Sequence, residues 1–542
     1  MKKLRSIIPA LLVALMLLSF AGCGGKTSTN STSGNGAGGD TPSAEKTQVV
    51  IPLIADPGTM NPLNASSTAE VIMARVFFNG LCRYNAETYE PEPSLAERWE
   101  VSQDGLTWTF YLRQDVKWHD GVPFTAEDVK FSLDTFITDF RGSRFFSAVA
   151  STEIVDPYTF QVNMSDPFPA FASYMINRFM VAPKHLLEGT DIENNLEFNK
   201  TAPIGTGAYK MVEYTPGEQI ICEANPDYFL GAPKIDRVIF KILPDANTQI
   251  AQLKTGELDI VQLEAFNLPS VENDENIKIF SAINSKWYAL HLNHNFPLFQ
   301  DKRVRQGMAH AIDRDLLVES VLRGRGEPAG SPIIPQLEWA HAADVRPYPY
   351  DKEKALALFA EAGWTDTNGD GLLDKDGQNF TFTLQVIKGN PTVEQTCTIL
   401  QQQFKDIGLD VNMQAYEFAS WVTEVRDART GDNMSQAWVC WMTPEAEPDG
   451  NFGYFHSSAA DGGSNFTSYR NAEADKALED GRYGLSQEDR KEAYHRFQEI
   501  IHDDVARDFL FYPETLVATN SKLGGLQLAS LYMYMEQWYF ED

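Results

Sequence analysis

From residue 48 onward the apolar residues switch between two spacings, every second position and every third or fourth. That alternation of strand and helix periods limits the fold more than any other feature of the chain. Residues 48–55 read as a buried strand ending in Asp56-Pro57-Gly58, and residues 69–78 have helical spacing. Trp108, Phe110 and Leu112 alternate with Thr109 and Tyr111, and Tyr158, Phe160 and Val162 repeat the pattern. Between them, Thr125-x-x-Asp128 has capping-box form ahead of Val129, Phe131 and Leu133. Residues 235–243, 247–255 and 258–261 predict a strand, a helix stopped by Gly256, and a second strand, a β-α-β unit. Further on, 287–293 predicts a strand, 302–312 and 314–322 helices, and Asp351 the cap of a helix closed by Gly363. Residues 381–386, 394–405 and 409–414 predict strand, helix, strand; 436–441 a strand; 490–505 a long helix; 509–518 a closing strand. The expected fold class is α/β, in lobes with mixed sheets and ligand crevices at their strand ends.

The amino terminus does not belong to that pattern. Lys2, Lys3 and Arg5 precede a run from Ile7 to Phe20 broken only by Pro9 and Ser19. The run is shorter than the ~20 residues of a membrane-spanning helix, so residues 1–22 predict a signal peptide. Phe20-Ala21-Gly22-Cys23 resembles the lipobox of bacterial lipoproteins, with Phe20 where Leu is usual. The resemblance implies that Cys23 carries the lipid; a plain secretory signal is the alternative. Residues 23–46 are rich in Gly, Ser, Thr and Asn and predict a flexible tether. Gly24-Gly25-Lys26-Thr27 lacks the upstream Gly, strand and helix of a phosphate loop. The expected location is extracytoplasmic, lipid-anchored at the outer face of the cytoplasmic membrane or in the periplasm.

About 500 further residues are too many for one core and predict two to four domains. The formal net charge of −30 argues against a nucleic-acid partner, which needs a basic face. Cys82, Cys222, Cys397 and Cys440 show neither a C-x-x-C pair nor metal spacing, and fit either two disulfides or buried thiols. G-x-S-x-G, H-E-x-x-H and G-x-G-x-x-G are absent. His291 with His294, and His495 with His502, have no third ligand in sequence. No enzyme is therefore expected, an exported hydrolase being the rival reading.

Several blocks resemble the family-5 extracytoplasmic solute-binding proteins, which serve ABC importers of oligopeptides, dipeptides and nickel. Leu95-Ala96-Glu97-Arg98-Trp99 with Asp104-Gly105-Leu106-Thr107-Trp108-Thr109-Phe110 is one, and the block from Leu112 through Trp118-His119-Asp120-Gly121 to Val129 is the most specific. Gly205-Thr206-Gly207-Ala208-Tyr209, Asn225-Pro226-Asp227-Tyr228-Phe229, Thr255-Gly256-Glu257-Leu258-Asp259 and Asp301-x-Arg303-Val304-Arg305 follow in family order. The resemblance implies a two-lobed class II periplasmic-binding-protein fold with an extra domain in lobe one. The lobe-one base would combine 47–80, 200–290 and 506–542, the extra domain 81–199, and lobe two 291–505. It also implies a monomeric receptor that closes on a solute and delivers it to permease and ATPase subunits, without a required cofactor.

Peptide-binding members carry a W-x-x-D-Y-x-D-P segment whose first carboxylate receives the peptide amino group, a charge-assisted contact. Here Trp441-Met442-Thr443-Pro444-Glu445-Ala446-Glu447-Pro448-Asp449 puts Pro444 at that position. Glu445 or Glu447 is then the candidate amine acceptor, or the ligand is an oligosaccharide or modified solute without a free amine. Trp441 and Trp421 are candidate aromatic walls. The resemblance adds Asn61 and Gly207 as cleft-facing candidates. Separately, Asp366, Asn368, Asp370, Leu372 and Asp374 have the spacing of a calcium loop with Gly371 at its sixth position, but Gly377 replaces the twelfth-position Glu. They read as a structural calcium site or as an acidic turn.

Overall fold

The computed structural model describes residues 47–138, 142, 146–444 and 447–541. The expectations for the signal peptide, Cys23, the tether and Glu445 lie outside the described residues. No helix among the described residues is long and apolar enough to cross a membrane.

The first sheet joins Gln48–Leu53, Arg237–Ile242, Gln219–Ala224 and Tyr209–Thr215 in that order, the first pair parallel and the others antiparallel. A second, antiparallel sheet has the order Ala96–Val101, Thr107–Leu112, Thr159–Met164, Val149–Asp156. Its alternation reads directly from sequence: Trp108, Phe110, Leu112, Phe160 and Val162 all point into the core. Helix Ala126–Thr138 begins where the Asp128 carboxylate accepts from Thr125 N–H at 3.0 Å, and covers that face. The two sheets share one continuous core, so the outer domain is packed onto the base. His119 ties them together: Gly205 N–H donates to Nδ1 at 3.2 Å, which leaves Nε2–H to donate to the Gly207 carbonyl at 3.0 Å.

The largest sheet runs Ile260–Leu263, Asp508–Asn520, Trp287–Leu292, Ala437–Met442, Thr381–Ile387, Asp410–Tyr416, with Ile277–Ile283 and Gly326–Pro328 also paired to the Asp508–Asn520 strand. Thr381–Ile387 and Asp410–Tyr416 pair in parallel across helix Pro391–Lys405, as their sequence pattern predicts. That helix has Asn390 as its cap, Pro391 at its first position and Lys405 in its last turn.

Two expectations need correction. Ile260–Leu263 does not rejoin Arg237–Ile242 as a β-α-β unit; it pairs antiparallel with the closing strand. Helix Ala246–Thr255, stopped by Gly256 at φ +75°, thus connects two sheets. The lobe assignment also shifts at its edges. Trp287–Leu292 already lies in the lobe-two sheet, and residues 508–513 pair with it or with Gly326–Pro328. Only from Glu514 does the closing strand pair with lobe-one segments. Pro513 stands where the ladder changes partners, a place where a missing N–H is tolerated. The other passage between lobes is Asn284–Lys286, and the Asn284 side chain donates to the Thr515 hydroxyl, bracing the two passages together.

Candidate functional site

Strand Ala437–Met442 is buried at nearly every position and sets Trp441 opposite Tyr288 of the neighbouring strand. Beyond Met442 the chain leaves the sheet at Thr443-Pro444, where Pro444 has no N–H to extend the ladder. These two residues enter a cavity of about 450 Å³. One wall comes from lobe two, through Gly450, Phe452, Tyr454, Ser464 and Arg482; the other comes from the outer domain, through Ser147, Ser165, Asp166, Phe168 and Tyr174. The volume lies within the roughly 300–1,000 Å³ of small-ligand sites, and aromatic rings alternate with a few polar groups around it.

The carboxylates below that cavity are engaged within the protein. Glu447 caps the short turn Pro448–Asn451 by accepting from Asp449 N–H at 3.2 Å, and its Oε1 pairs with Arg490. Burial opposes the Arg490 charge, and Glu447 beside it more than offsets this, holding the guanidinium above its ordinary range. Asp449 accepts a two-pronged contact from Arg482 at 2.7 and 2.9 Å. It also accepts from the hydroxyl of Tyr174 at 3.0 Å, across from the outer domain. The guanidinium carbon of Arg482 sits over the Phe452 ring, 3.5 Å from its centroid. Sequence reasoning singled out neither Tyr174 nor Arg482; no local pattern marks a residue whose partner lies 275 or 33 positions away.

Trp441 is half-buried and stands outside the cavity lining, in a second cluster. Phe418 stacks on it with ring centroids 5.9 Å apart and planes at 18°, and Tyr288 lies at 6.1 Å. The Lys286 ammonium sits 5.1 Å from the Tyr288 ring and 5.6 Å from that of Trp441. Burial pushes the Lys286 pKa down, against the pull of Glu264.

The remaining candidates lie elsewhere. Trp421 is 3% exposed in the lobe-two core, so it supports Phe418 rather than presenting its own face. Asn61 is fully buried: its amide donates to Asn199 at 3.0 Å and its oxygen accepts from Leu63 N–H at 3.0 Å. Gly207 is buried against a helix end, where a Cβ would stand 2.3 Å from the Val76 carbonyl oxygen. That fixes it as glycine for packing reasons. Asp366, Asn368, Asp370 and Asp374 spend side-chain oxygens on local donors: Gly369 and Gly371 N–H, Asp370 N–H, Leu372 N–H, and Thr367 N–H with its hydroxyl. Among the described residues no group of three or more His, Cys, Asp or Glu converges on a common point. The observed hydrogen bonds account for the motif as an acidic turn. The four cysteines are buried free thiols, which settles the alternative left by composition.

Comparison with known proteins gives a consistent picture. A family model described as bacterial extracellular solute-binding proteins, family 5 middle, matches residues 90–463. The oligopeptide-binding protein AppA of Bacillus subtilis is 33% identical over 535 residues, covering 97% of this chain and 96% of its own length. The structure of the B. subtilis AppA protein in complex with a nonapeptide superposes with a TM-score of 0.74 at 31% identity, covering 92% of this chain and all of the other. NikZ of Campylobacter jejuni, in complex with Ni(L-His), matches at 29% identity with a TM-score of 0.76, covering 91% of this chain and all of its own.

Proposed function

Because this chain belongs to the bacterial extracellular solute-binding proteins of family 5, a group of transport receptors for ABC importers and not enzymes, we propose that its solute is a peptide. The single observation that carries this reading is similarity over nearly the whole chain to an oligopeptide-binding protein whose own solved structure holds a nonapeptide. The cavity beside Thr443-Pro444, walled by both lobe two and the outer domain, is the proposed seat for part of that peptide. Ligand contacts to both walls favour the closed arrangement by as much as the ligand prefers it, and no more. The two passages at Asn284–Lys286 and Pro513–Thr515 are the proposed hinge.

With Pro444 unable to accept the amino group, Glu445 is the proposed acceptor in its stead, since Glu447 is held by Arg490. Calorimetry with free and N-acetylated nonapeptides tests both statements. Free peptides are expected to bind at micromolar concentration or tighter, and Glu445→Gln to remove the preference for a free amine. No heat and no thermal shift with either set at millimolar concentration would rule out the peptide reading. Anchoring through Cys23 completes the proposal by keeping the receptor near its permease. Metabolic labelling with a radioactive fatty acid is expected to mark the wild type and to spare Cys23→Ser.

A further inference from the structure

Lys286 lies on one of the two passages between the lobes, directly after strand Ile277–Ile283 and before strand Trp287–Leu292. Its side chain folds over Tyr288 and Trp441, with centroid distances of 5.1 and 5.6 Å. Among the described residues no carboxylate lies within ion-pair distance of its ammonium, and the backbone N–H is its hydrogen-bonded group, donating to Asn284. A half-buried ammonium of this kind carries a desolvation cost that ring faces offset only in part. Among the described residues the opposing charge that acts on it is Glu264, an exposed residue of lobe one that forms no ion pair with it. Lobe two continues the apolar floor: Phe418, stacked on Trp441, is 50% exposed although it is a large aromatic. A positive charge over an aromatic cluster with one open ring, beside a passage between two lobes, forms a complement to an anionic group attached to an organic body.

We infer that Lys286 receives a carboxylate of the bound solute, with the Trp441 and Phe418 rings flanking the atoms next to it. This rests on the peptide reading only in placing the solute between the lobes. A carboxylate arriving at Lys286 supplies the ion pairing that the described residues do not, through a charge-assisted bond beside a passage between the lobes. The receptor would then be selected by the acid end or an acidic side chain of its peptide.

The test uses the full chain and three forms of a degenerate nonapeptide library: free acids, C-terminal amides, and free acids with esterified Asp and Glu side chains. The free-acid library is expected to bind the wild type and to bind Lys286→Met about tenfold or more weakly, with Lys286→Arg restoring most of the loss. The carboxylate concerned is identified by whichever modified library reproduces that loss in the wild type and adds nothing in Lys286→Met. Equal binding of free acids by wild type and Lys286→Met, with the variant folded by thermal unfolding, overturns the inference; so does equal binding of all three libraries by the wild type. If no library binds the wild type, the peptide reading fails separately. Lys286 is then decided by mass spectrometry of the solutes released from both proteins: an acid held by the wild type and missing from Lys286→Met supports it, and a neutral solute or equal retention overturns it.

Discussion

Glu447 and Arg490 bury opposite charges together, with side-chain exposures of 6% and 8%. Such a pair is costly to break and cheap to replace whole. Glu447→Ala strands the guanidinium of Arg490 among Trp339 and Tyr494, whose ring centroids lie 5.2 and 5.6 Å away. Stability is expected to fall by about 3–5 kcal/mol, measured by urea unfolding, and Glu447→Met with Arg490→Met to recover most of it. A full loss in the double variant would show that the charges do more than neutralise each other. Sequence brought Glu447 forward as an acid beside Pro448, but what it does is set by Arg490, 43 positions on. The same applies to Trp421 and Asn61: their residue types suit a cleft, and only the fold shows them enclosed. Pro444 is the opposite case. Its significance was legible as a departure from a motif, and it does line the cavity.

Elements with a strong period emerge where the sequence puts them, because burial of one face is enough to specify them. Strand Thr107–Leu112, helix Arg314–Leu322 and the parallel unit around helix Pro391–Lys405 are examples. Pairing partners were less legible. Nothing local in Ile260–Leu263 tells that it joins a strand beginning at Asp508 and not one 20 residues earlier. Turn 366–374 shows why a motif needs its geometry: its side-chain oxygens accept from its own donors, and among the described residues no three acidic groups converge there. Titration of calcium into the protein is accordingly expected to give no saturable heat, and a stoichiometric uptake would restore the metal reading. Three elements also meet at Asp449: helix Phe171–Arg178 through Tyr174, the turn Pro448–Asn451, and helix Ala472–Tyr483 through Arg482. Tyr174→Phe removes one bond to a charged acceptor, about 1.5–3 kcal/mol, while Arg482 still holds the carboxylate. The variant is expected to have a larger radius of gyration without ligand in solution X-ray scattering. Its apparent affinity should drop roughly tenfold, in proportion to the lost closed fraction. Unchanged scattering with unchanged affinity would mean that Tyr174 is only a packing contact.

For the whole molecule, burial of titratable groups sets limits of pH on both sides. His294 is enclosed beside Arg305, and its pKa is driven by burial from 6.5 to about 3; burial takes His119 to about 4. In the unfolded chain both accept a proton near 6.5, so below that pH the unfolded state binds more protons and stability falls as pH falls toward 3. At the other end, burial raises the Cys397 and Cys440 thiols from 9.0 to about 12, and Tyr512 and Tyr532 from 10.0 to about 12. Unfolded thiols release protons from about pH 9 upward while the folded ones keep them, so stability is complete below 9 and is lost as pH rises toward 12. The tyrosines steepen that loss above about 10 by the same sign. The urea midpoint is therefore expected to be highest between about pH 6.5 and 9 and to decline on either side. His294→Gln should flatten the acid arm, because a neutral amide has no proton to gain on unfolding. Cys397→Ala with Cys440→Ala should make the alkaline decline above about pH 9 shallower without abolishing it, because burial also raises the thiols of Cys82 and Cys222. Such a double variant retaining the wild-type alkaline slope would mean that the two thiols do not contribute to it, whatever their burial.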